Sequence, residues 1–361
     1  MKHSATVAST FLLLVLWGCG ANSPSGNPGP NSTSILYANT ASGVLAFTVN
    51  ADGSLSPLPK PLNQNVGPAI AASQSFILAG DSAAFGTTVD SMQPMFPSGA
   101  LHDTSQAGFP IIGGTTINIL TTCGTQLFAG DVNGALVVYS VGSQGGLTQA
   151  GQITGFLGAP WSATVDKTCT NIYVSDTATP SVYAFQNTNG SLSSLPGSPF
   201  TAGGAAPGKG LFGISIDTSG KFLYVANQTE GKLYGFVIGP NGALTSVPGS
   251  PFSSGTTPVA ALAVSLSSMN FLYATDTAAS TITSYRIDSN TGALSRASSV
   301  NTASGPEYLT SFGTVLYSAN VQGSSISAFQ LQNDGTLTQV PGSPFTLGAQ
   351  PLGAAIVVTG Q

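Results

Sequence analysis

Charge is the scarcest thing in this sequence. Of 361 residues only 8 are Lys or Arg and 13 are Asp or Glu, 6% together, where globular domains carry about 25%. Helical bundles and coiled coils need Glu, Lys and Arg on their exposed faces, so both are excluded. The 8 basic residues form no cluster and the formal charge is −5, which leaves no electrostatic footprint for nucleic acid as a partner. Histidine is limited to 2 residues and cysteine to 3. None of them stands at the spacing of a zinc site, and no metal is expected. Met92, Met95 and His102 gather soft ligands in one stretch, but no second histidine or Met-rich tract joins them. The glycines lack a strand–loop–helix context, so a nucleotide or phosphate site finds no support and no cofactor is expected. The apolar run Val7 to Trp17 is too short to span a bilayer as an anchor.

What the sequence has in abundance is turn chemistry. It holds 45 Gly and 23 Pro, and its hydrophobic residues, 42% of the chain, fall in short alternating segments. That patterning excludes disorder and indicates an all-β protein with many tight turns. At the N-terminus Lys2 and His3, the apolar run and Leu16-Trp17-Gly18-Cys19 resemble a bacterial lipoprotein signal, in which cleavage leaves a lipidated Cys19. Trp17 departs from the usual composition of such a box, and the alternative is an ordinary signal peptide with an incidental cysteine. Residues 1–18 are therefore read as a lipoprotein signal peptide. Residues 19–34, rich in Gly, Pro, Ser and Asn, are read as a flexible tether, and 35–361 as the folded domain. The implied location is the bacterial cell envelope, periplasmic or at the surface, with membrane contact through the lipid anchor only.

Internal repetition is the strongest signal. A short segment ending in Asn or Asp recurs seven times, beginning at Ile35, Ile77, Leu127, Ile172, Leu223, Leu272 and Leu316, with successive starts 42 to 51 residues apart. That period, with about four short strands per unit, predicts a seven-bladed β-propeller. In the clearest unit, Phe212–Asp217 reads as strand A, Phe222–Ala226 as B, Lys232–Ile238 as C and Ala243–Val247 as D. A Pro-Gly-Ser-Pro-Phe motif follows, and it recurs at Pro196–Phe200 and Pro341–Phe345. Proline suits an outer edge, where no ladder donor is needed. The chain opens on a strand B and closes on a strand A, Gly353–Val358. Pairing these two completes the seventh sheet and removes free edges.

The run from Gly213 to Phe252, with its Leu223-Tyr-Val-Ala-Asn227 core, resembles the YVTN-type repeat of the lactonase-like seven-bladed propellers, which include 6-phosphogluconolactonase-like proteins. The likeness extends over about residues 35 to 358 and is weakest in unit 2. It implies a channel-face site with an Arg-His segment entering a strand A and a Glu after the Asn of the next strand B. The matching positions here are Gly305-Pro306-Glu307-Tyr308 and Asn320-Val321, so Arg, His and Glu are replaced by Glu307, Tyr308 and Val321. The charge that would stabilise an oxyanion is reversed. His102, Arg286 and Arg296 map to outer strands. Two tryptophans are too few for the tryptophan-docking repeats of quinone-cofactor propellers.

The candidate ligand-binding residues are Glu307, Tyr308, Lys209 and Trp161, each just before or at the start of a strand A. A carboxylate, a phenol, an ammonium and an indole could bind a sugar or small polar ligand; the plain alternative is loop residues and a partly packed indole. The Asn and Asp residues ending strand B, Asn39, Asp81, Asp131, Asp176, Asn227, Asp276 and Asn320, form either a polar or cation-binding collar or a set of turn caps, and caps are expected. Cys123 and Cys169 fall in A–B turns of adjacent units and are expected to pair in an oxidising compartment, closing a loop of about 46 residues; the alternative is two free turn cysteines. The expected function is a binding or interaction module using the channel face, with a protein, glycan or small polar ligand as partner and no enzyme activity. The alternative is a lactonase-type hydrolase with non-standard site residues.

Overall fold

The computed structural model describes residues 33–359 except 41, 60–65, 74–75, 82–87, 96, 104–108, 111–116, 156–157, 203–209 and 267–268. Residues 1–18, expected to be a signal peptide, Cys19 and Lys209 therefore lie outside the described residues. Seven antiparallel sheets are present, each ordered A-B-C-D from its inner to its outer strand. In blade 4 these strands are Pro160–Val165, Asn171–Asp176, Ser181–Thr188 and Ser191–Ser194. In blade 5 they are Leu211–Ile216, Phe222–Asn227, Lys232–Ile238 and Leu244–Ser246. The seven A strands pack each against the next in a closed ring. The molecule is thus the seven-bladed propeller that the repeat predicts.

Closure follows the predicted rule. Thr33–Thr40 pairs with Pro351–Thr359 in register from Thr33↔Thr359 to Asn39↔Gly353, so both chain ends share blade 1. The first strand begins two residues inside the expected tether, because Thr33 and Ser34 find ladder partners in Thr359 and Val358.

Strand D is built in two pieces wherever Pro-Gly-Ser-Pro-Phe occurs. After Ser191–Ser194 the chain turns and Phe200–Thr201 pairs again with strand C; the same happens at Phe252–Ser253 and Phe345–Thr346. The serine of the motif carries the ladder across the gap. Ser198, Ser250 and Ser343 each accept, through Oγ, the N–H of a strand C residue, Ala184, Gly235 and Ala328, at 2.9, 3.0 and 2.9 Å. A hydroxyl replaces the backbone partner that the proline-bearing turn withdraws.

Blades are fastened to one another through the tyrosine of the repeat. Tyr37, Tyr173, Tyr224, Tyr273 and Tyr317 are fully buried in strand B. The hydroxyls of Tyr37, Tyr173, Tyr224 and Tyr317 donate to the carbonyls of Gly99, Gly242, Gly292 and Gly53, at 3.1, 2.8, 2.6 and 3.0 Å. Each glycine belongs to the C–D turn of the next blade and has positive φ. At Gly292 a Cβ would also lie 2.4 Å from the Phe222 ring, so both backbone conformation and space demand glycine. The hydrophobic clusters accordingly run between sheets: one gathers Phe222, Tyr224, Leu262, Phe271, Tyr285 and Phe329 from blades 5, 6 and 7.

Candidate functional site

The start of strand A and the end of strand B share one face of the ring. Here five members of the Asn/Asp set, Asp131, Asp176, Asn227, Asp276 and Asn320, act as caps. Asp131 Oδ1 accepts the N–H groups of Asn133 and Ala135 at 3.0 and 2.9 Å. Asp176 Oδ1 accepts those of Ala159 and Ala178, both at 2.8 Å, tying its own B–C turn to the loop that enters strand A. Asn227 Oδ1 accepts the Glu230 N–H at 3.1 Å. Asn320 donates to Ser325 and Ser327 Oγ at 3.2 and 2.9 Å. Asp276 is held by Thr256 N and Oγ1, Thr257 Oγ1 and Ala279 N. Burial alone would raise its carboxyl pKa, but these donors outweigh burial and hold it below the ordinary value. Among the described residues no cluster of His, Cys, Asp or Glu could hold a metal.

One member of the expected set is misplaced by a residue. Opposite Pro351 stands Thr40, not Asn39, and Thr40 Oγ1 makes the turn bonds, to Gly43 O at 2.7 Å and from Ser42 N at 3.2 Å. Reading by residue type chose the asparagine; the ladder register chooses the hydroxyl. Of Asp81 only the backbone is described, and it pairs with Val66.

Immediately after this point every strand A carries a β-bulge. A bulge breaks the strict alternation between sheet faces and re-aims a side chain. Because strand A is the inner edge of its sheet, the residues so released stand at the mouth of the central channel. Trp161 lies in the bulge between Pro160 and Ser162, Glu307 in that between Pro306 and Tyr308, Asn118 in that between Ile117 and Ile119 and Phe212 in that between Leu211 and Ile214. All four are half-buried. Trp161 and Phe212, from adjacent blades, meet edge to face with centroids 5.1 Å apart and planes at 63°. A Cβ on Gly213, beside Phe212, would sit 2.7 Å from Ala261 N and Val259 O of blade 6, so the inner strands are in close contact there. Asn118 Nδ2 donates to Pro160 O at 2.7 Å, fixing the residue before Trp161.

Two of the four sequence candidates, Trp161 and Glu307, thus occupy equivalent positions three blades apart. Tyr308 follows Glu307 and pairs opposite Ala319. Phe212 and Asn118 were not singled out from the sequence; the signal was their place, one residue beyond the partner of the strand B cap.

Glu307 differs from the other carboxylates. Asp52, Asp166, Asp217, Asp288 and Asp334 cap A–B or C–D turns, and Glu230 accepts the Tyr234 hydroxyl at 2.5 Å. Among the described residues nothing donates to or pairs with Glu307, and burial raises its pKa. The segments that the family resemblance pairs do meet here: Pro306 stands opposite Asn320, and Val321 N donates to Gly305 O at 2.8 Å.

The remaining features lie elsewhere. Cys123 ends a strand A, Cys169 sits in the next blade's A–B turn, and the two are joined by a disulfide with Cα atoms 5.6 Å apart, on the face away from the bulges. Met92 is buried, while Met95 and His102 are exposed, so these three do not converge. Arg286 and Arg296 are exposed on strands C and D of blade 6.

Seven blades closed by both chain ends define a seven-bladed propeller. The sequence model of the family described as "Lactonase, 7-bladed beta-propeller" matches residues 137–299 and 270–360. The chain belongs to that family. No curated protein sequence matches it. Among solved structures it is similar to a protein of Bacteroides fragilis provisionally named a 6-phosphogluconolactonase, with 17% identity, TM-score 0.73, and 91% of this chain and 98% of that one covered. It is also similar to the periplasmic gluconolactonase of Pseudomonas aeruginosa, with 16% identity, TM-score 0.73, and 90% and 99% covered. At these identities the likeness is one of fold.

Proposed function

We propose that the protein is a lactone hydrolase whose general base is Glu307. The observation that carries this is a half-buried carboxylate with raised pKa and no partner among the described residues, at the channel mouth of a lactonase-family propeller. A raised pKa makes a carboxylate a stronger proton acceptor. Glu307 would take a proton from water as the water oxygen bonds to the lactone carbonyl carbon. The ring C–O bond then breaks and the proton passes to the departing alkoxide oxygen, giving the open hydroxy acid. Strand A is a sheet edge, so its inward N–H groups have no ladder partner and can donate to the developing oxyanion. The family membership favours this hydrolase over the binding module as the main function.

A second reading, binding without turnover, is supported by one specific observation. The positions where the family resemblance implies Arg, His and Glu hold Glu307, Tyr308 and Val321. The two readings separate in a hydrolysis assay on purified protein with D-gluconolactone and a panel of other sugar lactones. Hydrolysis above the uncatalysed rate is expected, falling by about 100-fold or more in Glu307→Gln. Saturable binding with no turnover in the wild type leaves the binding module standing.

We also propose that the chain is exported and anchored in the cell envelope through Cys19, which the leader-like Val7–Cys19 segment supports. Mass spectrometry of the mature N-terminal peptide should find a lipid-modified Cys19. An unmodified Cys19, or a retained Met1, overturns the anchoring.

A further inference from the structure

We propose that Trp161 and Phe212 form a stacking platform for an uncharged sugar ring, so that the ligand is a neutral pyranose or its lactone and not a sugar phosphate. This deepens the lactone reading above and rests on it only for the ring being a lactone. The two bulges bring the rings together across adjacent blades, edge to face at 5.1 Å. In that arrangement at most one face of either ring is spent on the other, and both residues remain partly exposed. The face of an aromatic ring is electron-rich and attracts the polarised C–H groups of a pyranose, which also lose apolar contact with water. An apolar wall with a few polar groups is the usual make-up of a small-ligand site.

Among the described residues the charge at the mouth disfavours phosphate. The described bulge residues Asn118, Trp161, Phe212, Val259, Glu307 and Leu352 include one carboxylate and no cation. Of the described cations, Lys167 and Lys221 lie in A–B turns on the opposite face, Lys232 stands opposite the cap Asn227 but donates outward to Ser253 Oγ at 3.1 Å, and Arg286 and Arg296 lie on blade 6's outer strands; Lys209 lies outside the described residues. A phosphate dianion brought beside Glu307 would meet like charge in a partly desolvated setting.

The chain has 2 tryptophans, Trp17 in the leader and Trp161, so in the processed protein Trp161 alone supplies the indole fluorescence. Purified mature protein is titrated with D-glucose and with D-glucose 6-phosphate, neither of which is a lactone, so binding is read independently of turnover. A saturable emission change is expected with glucose, with the phosphate ester binding about tenfold more weakly or worse. Phe212→Ala should weaken glucose binding by about tenfold, and Glu307→Gln should narrow the gap between the two sugars. Calorimetry on Trp161→Ala, with its fold checked by circular dichroism, should show the same loss as Phe212→Ala. No saturable change with glucose, equal or tighter binding of the phosphate ester, or unchanged affinity in Trp161→Ala overturns the platform, whether or not lactones are hydrolysed.

Discussion

Asp166, Asp217 and Asp288 each open a tight turn and Asp334 sits within one, and all four accept the N–H two or three residues on, at 3.1, 2.9, 2.8 and 2.9 Å. Most described aspartates form turns in this way, and Glu307, with no partner among the described residues, stands apart. Its folded pKa is raised by burial, so the ionised form is disfavoured by folding. The hydrolysis rate should therefore rise with pH through a value above the ordinary glutamate pKa of about 4.3, and Glu307→Gln should lose that dependence without lowering the urea midpoint at neutral pH. Asp276 has the opposite sign. Its folded pKa is lowered, so its stabilisation is present above the unfolded value of about 3.9 and fades as pH falls through the folded one. Asp276→Asn is expected to cost about 1–3 kcal/mol at neutral pH, since buried donors lose their charged acceptor. Urea denaturation of both proteins should show the difference narrowing in acid.

At the level of the element, the tyrosine of strand B is a latch onto the next blade, and the blades allow a paired test. Tyr224 donates to Gly292 O at 2.6 Å, and burial pushes its pKa far above the usual value. Tyr273, equally buried, has a hydroxyl with no hydrogen-bond partner among the described residues. Tyr224→Phe should destabilise by about 1 kcal/mol, while Tyr273→Phe should be neutral or stabilising, because it removes a polar atom that is desolvated without return. Chemical denaturation of the two variants reads the contrast directly. Equal effects would mean that the hydroxyl bond contributes nothing to blade docking.

In the molecule as a whole, the ring is closed by strand pairing and braced by a disulfide between two adjacent blades. The pairing of Thr33–Thr40 with Pro351–Thr359 joins the chain ends, and the disulfide joins blades 3 and 4 across 46 residues. A loop of that length constrains the unfolded chain by about 3–4 kcal/mol on the chain-entropy model. Thiol counting on denatured, unreduced mature protein should find neither Cys123 nor Cys169 reactive, and reduction should lower the thermal midpoint. Two reactive thiols would show that the crosslink does not form.

The period of 42 to 51 residues, the alternating strands and the B-first, A-last order of the chain determined the blade number and the mode of closure, because those depend on local pattern and on counting. Trp161 and Glu307 were legible as candidates because they stand at recognisable strand starts. What the sequence could not decide was register and direction. The turn cap of blade 1 is Thr40 where residue type pointed to Asn39, and the Phe200, Phe252 and Phe345 segments fold back to pair with strand C. The meeting of Trp161 with Phe212, 51 positions apart in the chain, likewise depends on where each bulge falls against strand B. Local sequence sets which residues can alternate or turn. Only the packed ring decides which of them a bulge turns toward the axis, since that is fixed by ladder pairing between strands and by contact between blades.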